Sequence, residues 1–112
     1  MNWEKIEKLA QIEELKNLSK EKPVLIFKHS TRCSISSMAL DRLTRNWKDS
    51  DSEIIKPYYL DLISYRQVSD EIANEFGVMH QSPQVILIKD GRATYDNSHM
   101  GISYGDILAE AK

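Results

Sequence analysis

Cysteine occurs once in this chain of 112 residues, at Cys33. One thiol cannot build an internal disulfide framework or a multi-cysteine zinc site. It is therefore an inert buried group, a reactive one, or half of a bridge to another molecule. Glycine and proline are scarce too, at four and three residues, so no Gly/Pro-rich linker divides the chain. No run approaches the roughly eighteen apolar residues that span a bilayer. The segment Met1 to Leu18 intersperses charges with apolar side chains and lacks the apolar stretch of a signal peptide. A cytoplasmic protein with no membrane partner is the expectation. The formal charge is −2, without a Lys/Arg stripe, so nucleic acid is not expected as a partner. Gly-rich phosphate loops, serine-nucleophile elbows, paired-carboxylate spacings and metal-ligand spacings are missing as well. No metal and no tightly bound cofactor are expected.

What remains is 41% hydrophobic and 29% charged residues, the mix of a globular protein. At this length the reading is a single domain over residues 1–112. Apolar residues from Trp3 to Leu18 recur mostly at helical spacing, predicting one or two helical turns before Pro23 breaks the pattern. Val24 to Lys28 is a short apolar run suited to a strand buried on both faces. A helix of roughly fourteen residues begins near Cys33, with Ile35, Met38, Ala39, Leu43 and Trp47 three or four apart, and Ile35, Met38 and Ala39 assigned to the core. A polar loop at 48–52 follows, then a strand over Pro57 to Leu62. Ser64 is a candidate N-cap for a helix through Phe76, and Gly77 stands where a left-handed residue ends helices. Gln84 to Lys89 and Ala93 to Tyr95 read as strands joined by an Asp90-Gly91 hairpin turn. A last helix runs from Ser103 to Ala109. This order predicts an α/β fold: a mixed central sheet of about four strands with helices on both faces, in the order of a thioredoxin fold.

Cys33 closes the loop after the first buried strand and opens a helix. Ligands of open α/β sheets gather beyond the carboxyl ends of strands. The free N–H groups of a helix start favour negative charge, and so favour the nucleophilic thiolate. Arg32 adds a neighbouring cation, and His29 could assist proton transfer if it points inward. Cys33-Ser34-Ile35-Ser36 is a C-x-x-S pattern, the monothiol counterpart of C-x-x-C. With Ser36 in place of a second thiol, a mixed disulfide on Cys33 cannot be resolved internally, and an outside thiol must finish the reaction. Ser34 and Ser36 also serve as helix-start residues that satisfy free N–H groups. Ser82-Pro83 precedes a strand, where proline is tolerated at the first residue. The trans form is the commoner at such a bond. A cis form would bend the chain and expose the Ser82 backbone to a disulfide-bearing partner. Asp61 reads as a turn residue or a proton carrier, and His80 and His99 as surface or packing residues.

The block Phe27-Lys28-His29-Ser30-Thr31-Arg32-Cys33-Ser34-Ile35-Ser36, with Ser82-Pro83-Gln84 downstream, resembles the YtxJ-like monothiol bacilliredoxins. The resemblance runs over nearly the whole chain. It implies a thioredoxin-like domain whose clients are S-thiolated proteins and whose co-substrate is a low-molecular-weight thiol, bacillithiol. It matches Cys33 to the family's attacking cysteine, Pro83 to the cis-proline of the fold, and Ser82 to its substrate-pairing neighbour. Arg32, Ser34 and Ser36 complete the expected thiol-binding surface. One departure is Ser34, because the family often carries proline there. Proline at a first helical turn lacks a donor, whereas serine supplies an N–H that can reach a thiolate. Two main readings stand beside each other: a monothiol thiol–disulfide oxidoreductase, and a thioredoxin-like binding module that has lost catalysis and holds a partner beside Pro83. Against a third, a peroxide or arsenate reductase on this scaffold, counts the lack of an arginine cluster near Cys33.

Overall fold

The computed structural model describes residues 3–112. In chain order the elements are β1 (Glu4–Lys5), α1 (Ala10–Leu18), β2 (Val24–His29), α2 (Ser34–Asn46), α3 (Asp51–Ile54) and β3 (Lys56–Asp61). They continue with α4 (Arg66–Phe76), β4 (Gln84–Lys89), β5 (Arg92–Ser98), a 3₁₀ turn (His99–Gly101) and α5 (Tyr104–Ala111). The strands form one five-stranded sheet in the order β1-β3-β2-β4-β5. β3 runs parallel to β2, and β4 antiparallel to it.

Strand β2 is central because its sequence allows nothing else. All six of its residues are buried, as a run flanked by strands and covered on both faces must be. Alternation along β2 divides the core in two. Val24 and Ile26 join Ile12 and Leu15 of α1 and Val68 and Ile72 of α4. Leu25 and Phe27 join Ala39 and Leu43 of α2 and Ile107 and Ala111 of α5. Helices therefore cover both faces, as the sequence predicts.

Three local readings are corrected. Residues Glu4–Lys5 form an edge strand paired with Tyr58 and Tyr59, not the first helical turn, so the sheet has five strands instead of about four. Helix α4 starts at Arg66 with Tyr65 as N-cap; Ser64 instead donates its hydroxyl to Asp61 Oδ2 at 3.0 Å. Asp61 also accepts from Ile63 N and Ser64 N at 3.1 and 3.3 Å, which makes it the turn residue of its two readings. The loop at 48–52 contains the start of α3, where buried Asp51 accepts from Lys48 N at 2.8 Å and Tyr104 Oη at 2.6 Å. Gly77 ends α4 at φ 65°, the conformation expected of it.

Lys28 is fully buried on the α4 side of the sheet. Its Nζ donates to Ser69 O at 3.1 Å. Burial is the main cause that lowers its pKa from 10.5 to about 8, with Asp70 opposing and Arg66 reinforcing the shift. The unfolded chain then holds one more proton than the folded chain between about pH 8 and 10.5. Stability attributable to Lys28 therefore rises with pH across that window, and the penalty is full below it. Lys28→Met is expected to stabilise the fold at pH 7 by about 1–3 kcal/mol. It should also flatten the rise of stability between pH 8 and 10, measured by urea unfolding at several pH values.

Candidate active site

The carboxyl end of β2 carries the loop Ser30–Cys33 to the start of α2, and Cys33 is the N-cap of that helix. Its backbone is extended, at φ −110° and ψ 119°. Its N–H donates to Ser30 O and its carbonyl accepts from Ser37 N, both at 3.1 Å. The thiol is free and half-buried, and its side chain takes no capping hydrogen bond. It is thus held firmly at its backbone and left open at its sulfur.

Ser36 does the opposite. It is fully buried. Its Oγ accepts from Ser30 N at 3.0 Å and lies 2.7 Å from His29 Nδ1. One hydroxyl thus pins the loop that presents Cys33 to both its strand and its helix. A hydroxyl has one donor and two acceptor sites, so this contact serves either tautomer of the imidazole. His29 is buried beneath Tyr59, ring centroids 5.6 Å apart. Burial lowers its pKa, with Asp61 partly opposing, so the ring is neutral at pH 7. It does point inward, but toward Ser36. Ser36→Ala leaves the Ser30 N–H and the imidazole without this partner. The expected cost is about 1–3 kcal/mol, read as a lower urea midpoint at constant slope.

The helical phase of α2 differs from the sequence reading. Ile35 and Met38 are exposed at 47% and 68%, while Ser36, Ala39 and Leu43 face the core. A polar residue in the buried phase defeats a count of apolar spacings. The consequence is a surface beside the thiol: Ile35, Met38 and Met100 line one cleft with Ala39, Arg42 and His99. Arg32 and Ser34 are both exposed beside Cys33, and Arg32 enters none of the ion pairs among the described residues.

Ser82 and Pro83 reach the same end of the sheet, because Gln84 pairs with Lys28 in the ladder. The Ser82–Pro83 bond is cis. Pro83 O accepts from His99 N at 3.0 Å, which ties this turn to the cleft beside α2. Among the described residues, neither the N–H nor the C=O of Ser82 has a backbone partner, and its buried Oγ has no partner either. Sequence reasoning missed Gln84, which is buried and bonded to this loop; its only signal was a glutamine opening an otherwise apolar strand. No group of three or more metal-ligating side chains occurs among the described residues. No described helix is long and apolar enough to cross a membrane.

Comparison with known proteins bears on the family and the fold. A family model described as "Monothiol bacilliredoxin BrxC" matches residues 4–107. A solved structure presented as a candidate oxidoreductase with a thioredoxin fold is 31% identical, with a TM-score of 0.79, covering 96% of this chain and 91% of that one. Thioredoxin from Malassezia sympodialis has a TM-score of 0.75 at 15% identity, covering 96% of this chain and 86% of its own. For Fasciola hepatica thioredoxin the TM-score is 0.74 at 13% identity, with 97% and 99% covered. The last two show the fold alone.

Proposed function

Because the chain belongs to the monothiol bacilliredoxin family and is a thiol–disulfide oxidoreductase of thioredoxin fold, we propose that Cys33 removes bacillithiol from S-bacillithiolated client proteins. The observation that carries this reading is the pairing of an open thiol at the N-cap of α2 with a sealed Ser36 where a second thiol would stand.

In the first step the Cys33 thiolate attacks the bacillithiol sulfur of the client's mixed disulfide. The client–bacillithiol bond breaks, the client cysteine leaves as a reduced thiolate, and Cys33 carries bacillithiol. Ser36 offers no sulfur to resolve this adduct. A second low-molecular-weight thiol then attacks the bacillithiol sulfur, forms a disulfide with it, and returns Cys33 as thiolate. Over the cycle one disulfide is exchanged for another: the client sulfur is reduced to a thiol, the second small thiol is oxidised into the new disulfide, and Cys33 is unchanged. Free N–H groups at the start of α2 favour the anionic sulfur in both the attack and the release. Arg32 adds a cation at the exposed edge, and Ser34 supplies an N–H where a proline would supply none. The unpartnered backbone of Ser82 pairs with the extended client segment beside its modified cysteine, and Pro83 holds that edge at the strand entrance. Exposed Ile35, Met38 and Met100 give the client an apolar surface to cover. Bacillithiol is a consumed co-substrate in this scheme.

The test is a competition. One model protein is S-thiolated with bacillithiol, glutathione or coenzyme A, and the release of each thiol to Cys33 is timed. Fastest release from the bacillithiolated form is expected. Equal rates for the three would leave the oxidoreductase and remove the bacillithiol assignment.

A further inference from the structure

Gln84 is a costly choice for its place. It opens β4 on the same sheet face as Ile86 and Ile88, both fully buried, and is itself 1% exposed. An amide in such surroundings destabilises the fold unless both of its ends are paired. Both are, and both to one short loop. Gln84 Nε2 donates to Met79 O at 3.0 Å, and Gln84 Oε1 accepts from Gln81 N at 3.4 Å. The side chain thus reaches back from the strand and grips the backbone on either side of His80. That loop leads directly into Ser82, whose own N–H and C=O have no backbone partner among the described residues. Among the described residues, the hydrogen bonds from the other side are His99 N to Pro83 O and a 3.5 Å contact of His80 Nδ1 with Ser69 Oγ.

We infer that Gln84 is a positioning residue, whose amide holds the 79–82 loop so that the free backbone of Ser82 is aligned for a client strand. This rests on the reading of Ser82 as the client-pairing edge. An apolar side chain of similar size would pack against Ile86 equally well, and would leave Met79 O and Gln81 N to find other partners. The loop then samples several positions, and only substrates that must lie along it suffer. A small disulfide that meets Cys33 without touching Ser82 does not.

The experiment compares wild type, Gln84→Leu and Gln84→Glu on two substrates: an S-bacillithiolated protein and oxidised bacillithiol alone. Gln84→Leu is expected to lower kcat/KM for the protein at least about tenfold, the scale of its two lost positioning hydrogen bonds. Its rate with the small disulfide and the alkylation rate of Cys33 should stay within about twofold. Gln84→Glu keeps an acceptor for Gln81 N but sets a buried carboxyl oxygen against Met79 O, and its loss on the protein should be at least as large. If Gln84→Leu proves poorly folded by circular dichroism, Gln84→Met, unbranched like glutamine and without hydrogen-bonding ends, carries the test with the same split. Equal losses on both substrates would assign Gln84 to general stability and overturn the inference. So would a Gln84→Leu chain that keeps the wild-type preference for protein. If wild type itself shows no preference for the protein substrate, the Ser82 edge fails, and Gln84 with it.

Discussion

Cys33→Ser is expected to abolish reductase activity, by at least about three orders of magnitude, in a protein that unfolds at the same or slightly higher urea concentration. The loss follows from chemistry. A serine hydroxyl remains protonated near neutral pH and forms no mixed disulfide. The retained stability follows from position. The thiol is half-buried and makes no capping bond, so its removal opens no cavity. Serine at an N-cap is moreover among the preferred residues and accepts from first-turn amides. A gain of a few tenths of a kcal/mol is the expected scale. Activity and unfolding measured on one preparation check both halves. A binding module would behave otherwise, because its partner affinity would survive the substitution. Substantial reductase activity in Cys33→Ser would remove Cys33 from the mechanism altogether.

Ser36→Cys should change which intermediate accumulates. Position 36 is the third residue of α2 and Cys33 is its N-cap, the two positions that face each other in a capping box. Residues three apart at a helix start lie about 5–6 Å apart at Cβ, near enough for a disulfide after modest adjustment. In wild type, one turnover without free thiol should leave Cys33 carrying the small thiol. In Ser36→Cys the new thiol attacks that adduct, an internal disulfide forms, and the small thiol is expelled. The adduct is expected to drop at least tenfold, read by intact-protein mass after acid quench. The variant should also lose about 1–3 kcal/mol, because sulfur is a poor acceptor for Ser30 N and a poor partner for His29. An adduct that persists at wild-type level would show that Ser36 does not face the reacting sulfur.

These expectations depend on the phase of α2, which was only partly legible in the sequence. The strand over Val24 to Lys28 announced itself, since a short run with so much apolar surface has few other places to go, and the structure extends it by one residue, to His29. The cysteine at the following helix start was visible for the same reason. The hairpin at Asp90-Gly91 followed from turn chemistry, and both residues adopt the positive φ it requires. The burial of Ser36 was hidden because apolar spacing cannot detect a polar residue that earns its place through hydrogen bonds. The edge strand Glu4–Lys5 was hidden for a related cause. Two exposed residues pair through the backbone with Tyr58 and Tyr59, and backbone pairing leaves little mark on side-chain pattern. Gln84 belongs with them, being a side chain whose role lies entirely in the loop it grips. Lys28 shows the converse. It was read as the last residue of a strand buried on both faces, and despite its charge it is fully buried, paired with Leu60 of β3 and Gln84 of β4.

The central claim is that Cys33 alone receives the small thiol from a client and cannot discard it without help. The most direct measurement is the intact mass of the protein after one turnover with an S-bacillithiolated protein, free thiol being absent. The account predicts one bacillithiol per chain, mapped to Cys33, and an equal amount of reduced client. Addition of free bacillithiol should then restore the unmodified mass. A chain that stays unmodified while the client remains bacillithiolated would contradict it, as would a stable disulfide between Cys33 and the client with bacillithiol set free.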